Sequence, residues 1–186
     1  MSGLPDLRVL LIGLPGGGKS TVAAALAARH GLAHHSIDDF RRRYSDGTVA
    51  GDCLARSHLF RAFRAEARAV FEFSAAGKYR HDAASALRER PAPLLTAWLD
   101  TPRPIRERRL AARGGRVPCP VHAHGLSDAE IDEAGERVLR EDFAQGFWSR
   151  DPGWEARRID TSGSLDAALA ELFRLVGDFV ARRYDR

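Results

Sequence analysis

The sequence predicts an α/β three-layer sandwich: a five-stranded parallel sheet with helices on both faces. Three observations carry this. Short apolar runs alternate with longer helix-forming segments along the chain, the pattern of a parallel sheet with helical crossovers. The first run, Leu7 to Ile12, is short and ends abruptly at Gly13, as a buried central strand does. No repeat, low-complexity tract or linker interrupts the 186 residues, so one domain is expected over 1–186.

Each element follows from local chemistry. Lys19 to His30 is Ala-rich and helix-forming, and Gly31 is placed as its C-terminal cap. His34 to Ile37 is the second strand and leads into Asp38 and Asp39. Asp52 to about Glu66 reads as an amphipathic helix with Leu54, Leu59, Phe60 and Phe63 on one side. Ala69 to Phe73 is the third strand, and Asp82 to Arg90 is a short helix stopped by Pro91. Leu94 to Leu99 is the fourth strand. Thr101 is expected to cap the next helix, with Pro102 in its first turn, running through Arg109 to about Arg113. Gly114 to Gly125 is rich in Gly and Pro and reads as a loop. Ser127 and Glu130 form a capping box for a helix to about Phe143. Ala156 to Ile159 is the fifth strand. Ser164 caps the last helix, whose Leu165, Leu169, Leu172 and Val176 keep helical spacing.

Composition narrows the class. Hydrophobic residues make up 44% of the chain, enough for a sizeable core. No apolar run approaches the roughly 18–20 residues that span a bilayer, and Met1 to Pro5 carries no leader-like pattern, so a cytoplasmic, non-membrane protein is expected. The net charge of +4 favours anionic ligands without pointing to nucleic acid. Arg supplies nearly all of the positive charge; the lysines are Lys19 and Lys78. The two cysteines, Cys53 and Cys119, are expected to be free thiols of a reducing compartment. Cys119, His122 and His124 read either as a three-ligand zinc cluster or as an ordinary polar loop. The chain is expected to act as a monomer or homodimer.

The chemistry begins at Gly13-Leu14-Pro15-Gly16-Gly17-Gly18-Lys19-Ser20, which fits G-x-x-x-x-G-K-[ST]. Its glycines let backbone N–H groups turn toward phosphate oxygens, and the following helix aims its positive end at the same place. Lys19 is expected to bridge the β- and γ-phosphates and Ser20 to hold magnesium; Thr21 extends the hydroxyl pair or packs. Gly13, Pro15, Gly16, Gly17, Gly18, Lys19, Ser20 and Thr21 are thus the candidate nucleotide contacts, with ATP and Mg²⁺ as the expected pair. Ligands of such sheets bind beyond the carboxyl ends of the strands. There stand Asp38-Asp39-Phe40-Arg41, which read equally as an acceptor base with a substrate clamp or as an N-cap for the next helix.

The loop GLPGGGKST followed by DDFR resembles the small P-loop kinases: the kinase domain of phage polynucleotide 5′-hydroxyl kinase first, then the gluconate, shikimate, adenylylsulfate and chloramphenicol kinases and the zeta toxins. The resemblance implies a P-loop NTPase fold. It places the catalytic Asp at Asp38 and the acceptor-binding Arg at Arg41, with Asp39 beside them. A second block, Leu99-Asp100-Thr101-Pro102, Arg109-Leu110-Ala111-Ala112-Arg113-Gly114 and Val117-Pro118, resembles the lid of that group, with Leu110 where an Asn is usual, and implies that the sandwich carries a lid at about 103–126. Arg109 and Arg113 match the two lid arginines; four apart, they share a helix face. They read as phosphate clamps or, with Arg103, Arg106 and Arg108, as a solvated basic face. The resemblance also puts Thr161 to Gly163 near the adenine. Glu72 stands where relatives orient magnesium through water; it serves that end or the acceptor, since burying an idle carboxylate is costly. Ser74, Lys78, Tyr79 and Arg80 follow it at the mouth of the expected site.

The resemblance therefore implies a kinase that moves the γ-phosphate of ATP to a hydroxyl of a small molecule, a nucleoside, sugar or natural product. A polynucleotide 5′-hydroxyl kinase is one alternative, and a nucleotide-binding switch or toxin-like module another.

Overall fold

The computed structural model describes residues 6–115 and 127–184. Five strands, β1 (Leu7–Ile12), β2 (Ala33–Ser36), β3 (Arg68–Glu72), β4 (Leu94–Asp100) and β5 (Trp154–Asp160), form one sheet in the order β2-β3-β1-β4-β5. Every pairing is parallel. Among the described residues seven helices accompany the strands: α1 (Lys19–His30), α2 (Ile37–Tyr44), α3 (Val49–Ala65), α4 (Arg80–Arg88), α5 (Arg103–Ala112), α6 (Asp128–Ala144) and α7 (Leu165–Tyr184). None among the described residues is long and apolar enough to cross a membrane. The five-stranded parallel sandwich is the fold that the sequence predicts.

The period of two along β1 divides the core. Leu7, Val9 and Leu11 face one cluster with Val22 and Leu26 of α1 and Leu172, Val176 and Phe179 of α7. Leu10 and Ile12 face the other, with Leu59 and Phe63 of α3, Leu87 of α4 and Leu139 of α6. Arg8 breaks the apolar run yet is fully buried. Its guanidinium donates to the carbonyls of Leu87 (3.1 Å), Arg90 (3.0 Å) and Ala92 (2.5 Å), so it satisfies the chain as it leaves α4.

Several element ends differ from expectation for visible reasons. Ser36, not Asp38 or Asp39, caps α2; its hydroxyl accepts from the Asp38 amide. This leaves both aspartates in the first turn and sets aside the capping alternative. Thr48 caps α3, which begins at Val49, three residues before the expected start, and Leu54 on that helix is 48% exposed. The buried face of α3 instead carries Asp52, Ala55, Arg56, Leu59 and Phe63. Thr101 does not cap α5; Pro102 stands there, and the Thr101 hydroxyl turns inward to the Gly17 carbonyl and the Thr161 hydroxyl. The capping box of Ser127 and Glu130 and the Gly31 and Ser164 caps form as expected.

Candidate active site

The loop between β1 and α1 is shaped by contacts that only Gly tolerates. Gly13 has φ 143° and Gly16 has φ 80°. A Cβ on Gly13 would lie 2.8 Å from the Leu99 carbonyl oxygen, and one on Gly16 would lie 2.6 Å from that of Arg106. Gly18 ends the loop in the left-handed region, and α1 begins at Lys19 with no side-chain cap and no acid in its first turn. Its amide donors and positive pole are therefore left for an anion. The Lys19 ammonium meanwhile donates to the loop's own carbonyls, Gly13 O at 2.8 Å and Leu14 O at 3.0 Å. Burial, more than any neighbour, lowers its pKa; Arg113 and Arg106 add to the shift, and Glu72 and Asp38 oppose it.

At the end of β3, Glu72 is 2% exposed and uses both oxygens. Ser20 Oγ donates to Oε2 at 2.8 Å, and His34 Nε2 donates to Oε1 at 2.5 Å. The hydrogen bond to Glu72 raises the His34 pKa above its ordinary value, against a smaller opposing effect of burial. The register that pairs Ser36 with Glu72 brings β2 alongside the P-loop's partner strand. Ser20 Oγ and Glu72 Oε2 offer hard oxygens side by side, a donor set that suits magnesium.

Asp38 and Arg41 meet on α2, Arg41 Nη1 lying 3.2 Å from Asp38 Oδ1. Arg41 Nε also reaches Asp52 Oδ1 of α3 at 2.7 Å. Asp52 is 4% exposed and its other oxygen is held by Arg56. The Arg56 guanidinium lies 3.6 Å over the Tyr79 ring. A cavity of about 740 Å³ is lined by Gly16 to Thr21 and Pro15, by Asp38, Arg41, Asp52 and Arg56, and by Glu72 and Arg113. Asp39 is outside it: this carboxylate pairs with Arg42 at 2.5 Å and lines a smaller recess of about 390 Å³ beside His34 and Glu72. Asp52, Arg56 and His34 are the site residues that sequence reading missed. Their signal was an ion-pair spacing, Asp52 and Arg56 four apart, on the buried face of α3.

The arginines of α5 separate by role. Arg106 is buried, donating to Asp132 Oδ2 and Glu136 Oε1 at 2.6 Å each and to the Thr101 carbonyl at 3.0 Å. It pins α5 to α6, so this arginine is not part of a solvated basic face. Arg109 Nη2 donates to the Thr161 carbonyl at 3.3 Å. Its Nη1 is buried without a hydrogen-bond partner among the described residues, 3.6 Å from where a Cβ on Gly18 would lie. An unsatisfied guanidinium edge beside the phosphate loop fits an anionic ligand there. Arg113, the C-cap of α5, is exposed and lines both cavities. Thr161 is buried behind the loop, bonded to Thr101, and does not line the main cavity. Arg80 turns away to Asp142 on α6. Val117, Pro118, Cys119, His122 and His124, and most of the expected lid loop, lie outside the described residues.

Comparison with known proteins gives the family. The AAA domain family model matches residues 9–130. A search of curated proteins gives no match. Among solved structures, a shikimate kinase from Acinetobacter baumannii in complex with shikimate is similar at TM-score 0.62 and 16% identity, covering 97% of this chain and 96% of that one. A gluconokinase from Sinorhizobium meliloti 1021 is similar at TM-score 0.62 and 18% identity, over 96% and 98% of the two chains. A sugar kinase from Janibacter sp. HTCC2649 gives 0.59 and 18%, over 93% and 95%. At such identities the likeness is one of fold. The chain belongs to the AAA domain family and has the fold of the small P-loop kinases.

Proposed function

We propose that the protein is a kinase that transfers the γ-phosphoryl group of ATP to a hydroxyl of a small molecule, with magnesium. One observation carries the reading: the phosphate loop and Asp38 line the same cavity, together with Glu72, which bonds Ser20 of the loop. A nucleotide switch has no need of an acceptor base there.

The chain's own residues divide the work. The loop amides, the uncapped start of α1 and Lys19 hold the donor phosphates; Lys19 must leave the Gly13 and Leu14 carbonyls to do so. Ser20, oriented by Glu72, would hold magnesium, which when bound neutralises phosphate charge. Asp38 accepts the proton of the acceptor hydroxyl, and its bond to Arg41 fixes the carboxylate. Arg113 and Arg109 supply positive charge where it develops on the transferring group. The fold similarity to sugar, shikimate and gluconate kinases supports this division.

The test is a screen of hydroxyl acceptors with γ-labelled ATP, with 5′-hydroxyl oligonucleotides included. Label transfer to a small hydroxyl compound supports the reading. Transfer to oligonucleotides alone, or hydrolysis that no acceptor stimulates, would replace it.

A further inference from the structure

We infer that the acceptor of this kinase is an uncharged, hydroxyl-bearing molecule with an apolar face, and that Asp52 enforces the choice against anionic acceptors. The inference rests on the kinase reading above and concerns the half of the cavity beyond Asp38.

The acceptor wall neutralises its own charge. It presents two arginines, Arg41 and Arg56, and two aspartates, Asp38 and Asp52. Arg41 spans both acids, at 3.2 Å from Asp38 Oδ1 and 2.7 Å from Asp52 Oδ1. Arg56 takes the other oxygen of Asp52, donates to Cys53 Sγ at 3.0 Å and stacks on Tyr79 at 3.6 Å. One edge and one face of this guanidinium are thus already occupied by the protein. An arginine built to clamp a carboxylate or phosphate presents its planar fork to the ligand. Here the Arg41 and Arg56 contacts run to carboxylates of the wall itself.

Asp52 stands in the first turn of α3, where a carboxylate suits the helix's positive end, and it ties that helix to Arg41 of α2. It is nearly fully buried on α3, where a Leu or Ala would pack at no electrostatic cost. Its charge sits against Arg41, within the reach of any group that approaches Asp38. An anion placed there meets two carboxylates whose counter-charges are already engaged, and like charges disfavour it. The rest of this wall is largely apolar, with Ile37, Val49, Phe73, Ala76, Tyr79 and Ile131; Ser74 and one further charge of each sign, Lys78 and Asp132, stand among them. Such a lining with few polar groups suits a neutral molecule that offers one hydroxyl to Asp38 and buries a ring or an alkyl face.

The experiment compares matched acceptors that share a ring and all but one of its hydroxyls, the remaining one being replaced by an ionised group. An alkyl glucoside is set against the glucuronide, and a nucleoside against its 3′-monophosphate. Transfer from labelled ATP gives kcat/KM, and calorimetry in the presence of ADP gives affinity. The neutral member is expected to lead in at least one pair by about tenfold or more. Asp52→Asn, which removes one negative charge at constant shape, is expected to shrink that ratio several-fold while ATP affinity stays at the wild-type value. A lead for the anionic members in the wild-type protein overturns the inference, as does an unchanged ratio in a folded Asp52→Asn protein. No transfer to and no binding of any neutral member, with ATP bound normally, also overturns it. Failure to bind ATP overturns the kinase reading instead. The wild-type comparison stands even where the variant fails to fold.

Discussion

His34 on β2 and Glu72 on β3 are joined by a 2.5 Å hydrogen bond whose far end is the Ser20 hydroxyl, 2.8 Å from the other carboxylate oxygen. Three residues far apart in sequence thereby fix one carboxylate at the phosphate loop. Glu72 takes a single orientation because both oxygens are spoken for.

This pair gives a pH prediction. The hydrogen bond to Glu72 raises the His34 pKa, so its NMR titration midpoint should lie above that of an ordinary histidine. A raised histidine pKa adds stability that is full below about pH 6.5 and is lost as pH climbs through the folded-state value. Glu72→Gln should bring the midpoint down and remove that part of the pH dependence. A midpoint at the ordinary value in the wild-type protein would contradict the structure.

Lys19→Ala removes the one ammonium that the loop places against donor phosphates. We expect transfer to fall by at least about a hundredfold, in line with the loss of a charged group that acts on the reacting phosphate. Fluorescent-nucleotide titration should show weakened binding as well. The fold should survive, because Lys19 bonds only to loop carbonyls.

Asp38→Asn separates binding from chemistry. ATP affinity should stay near wild type, while kcat drops by roughly 10²–10⁴-fold, the usual worth of a general base. Asp39→Asn should do little, since Asp39 pairs outward with Arg42. Equal losses in the two variants would sink the assignment of the base to Asp38.

Arg109→Met tests the buried Nη1 beside Gly18. The kcat/KM for ATP should fall, with the KM for the acceptor unchanged. A change confined to the acceptor would move Arg109 to the other half of the cavity.

Arg8→Met probes the scaffold at the opposite end of β1. Three carbonyls after and within α4 lose a charged donor in a site without water access. A cost of about 3 kcal/mol is expected, or roughly 6–12 °C in the thermal midpoint. Kinetic constants measured well below that midpoint should be unaltered.

Legibility followed the range of the interactions. The caps at Gly31, Ser127 and Ser164 rest on neighbours within four residues, and the strands and the phosphate loop show local patterns of apolar runs and glycines, so the sequence displays them. Asp38 was readable as a site residue but not as distinct in posture from Asp39. Only the cap at Ser36 sets the turn that sends one carboxylate into the cavity and the other to Arg42. Arg106 looked like one basic residue among several, and burial against Asp132 and Glu136 of another helix made it a scaffold residue.

By itself the sequence determined the parallel sandwich and the phosphate loop, because periodicity and glycine stereochemistry are local properties of the chain. Tertiary structure alone decided the company each charge keeps. The bonds of Glu72 with His34 and Ser20, and of Asp52 with Arg41, form between side chains that only the packing of strands and helices brings within 3 Å. Electrostatic pairing depends on distance through space, and a linear sequence does not carry that distance.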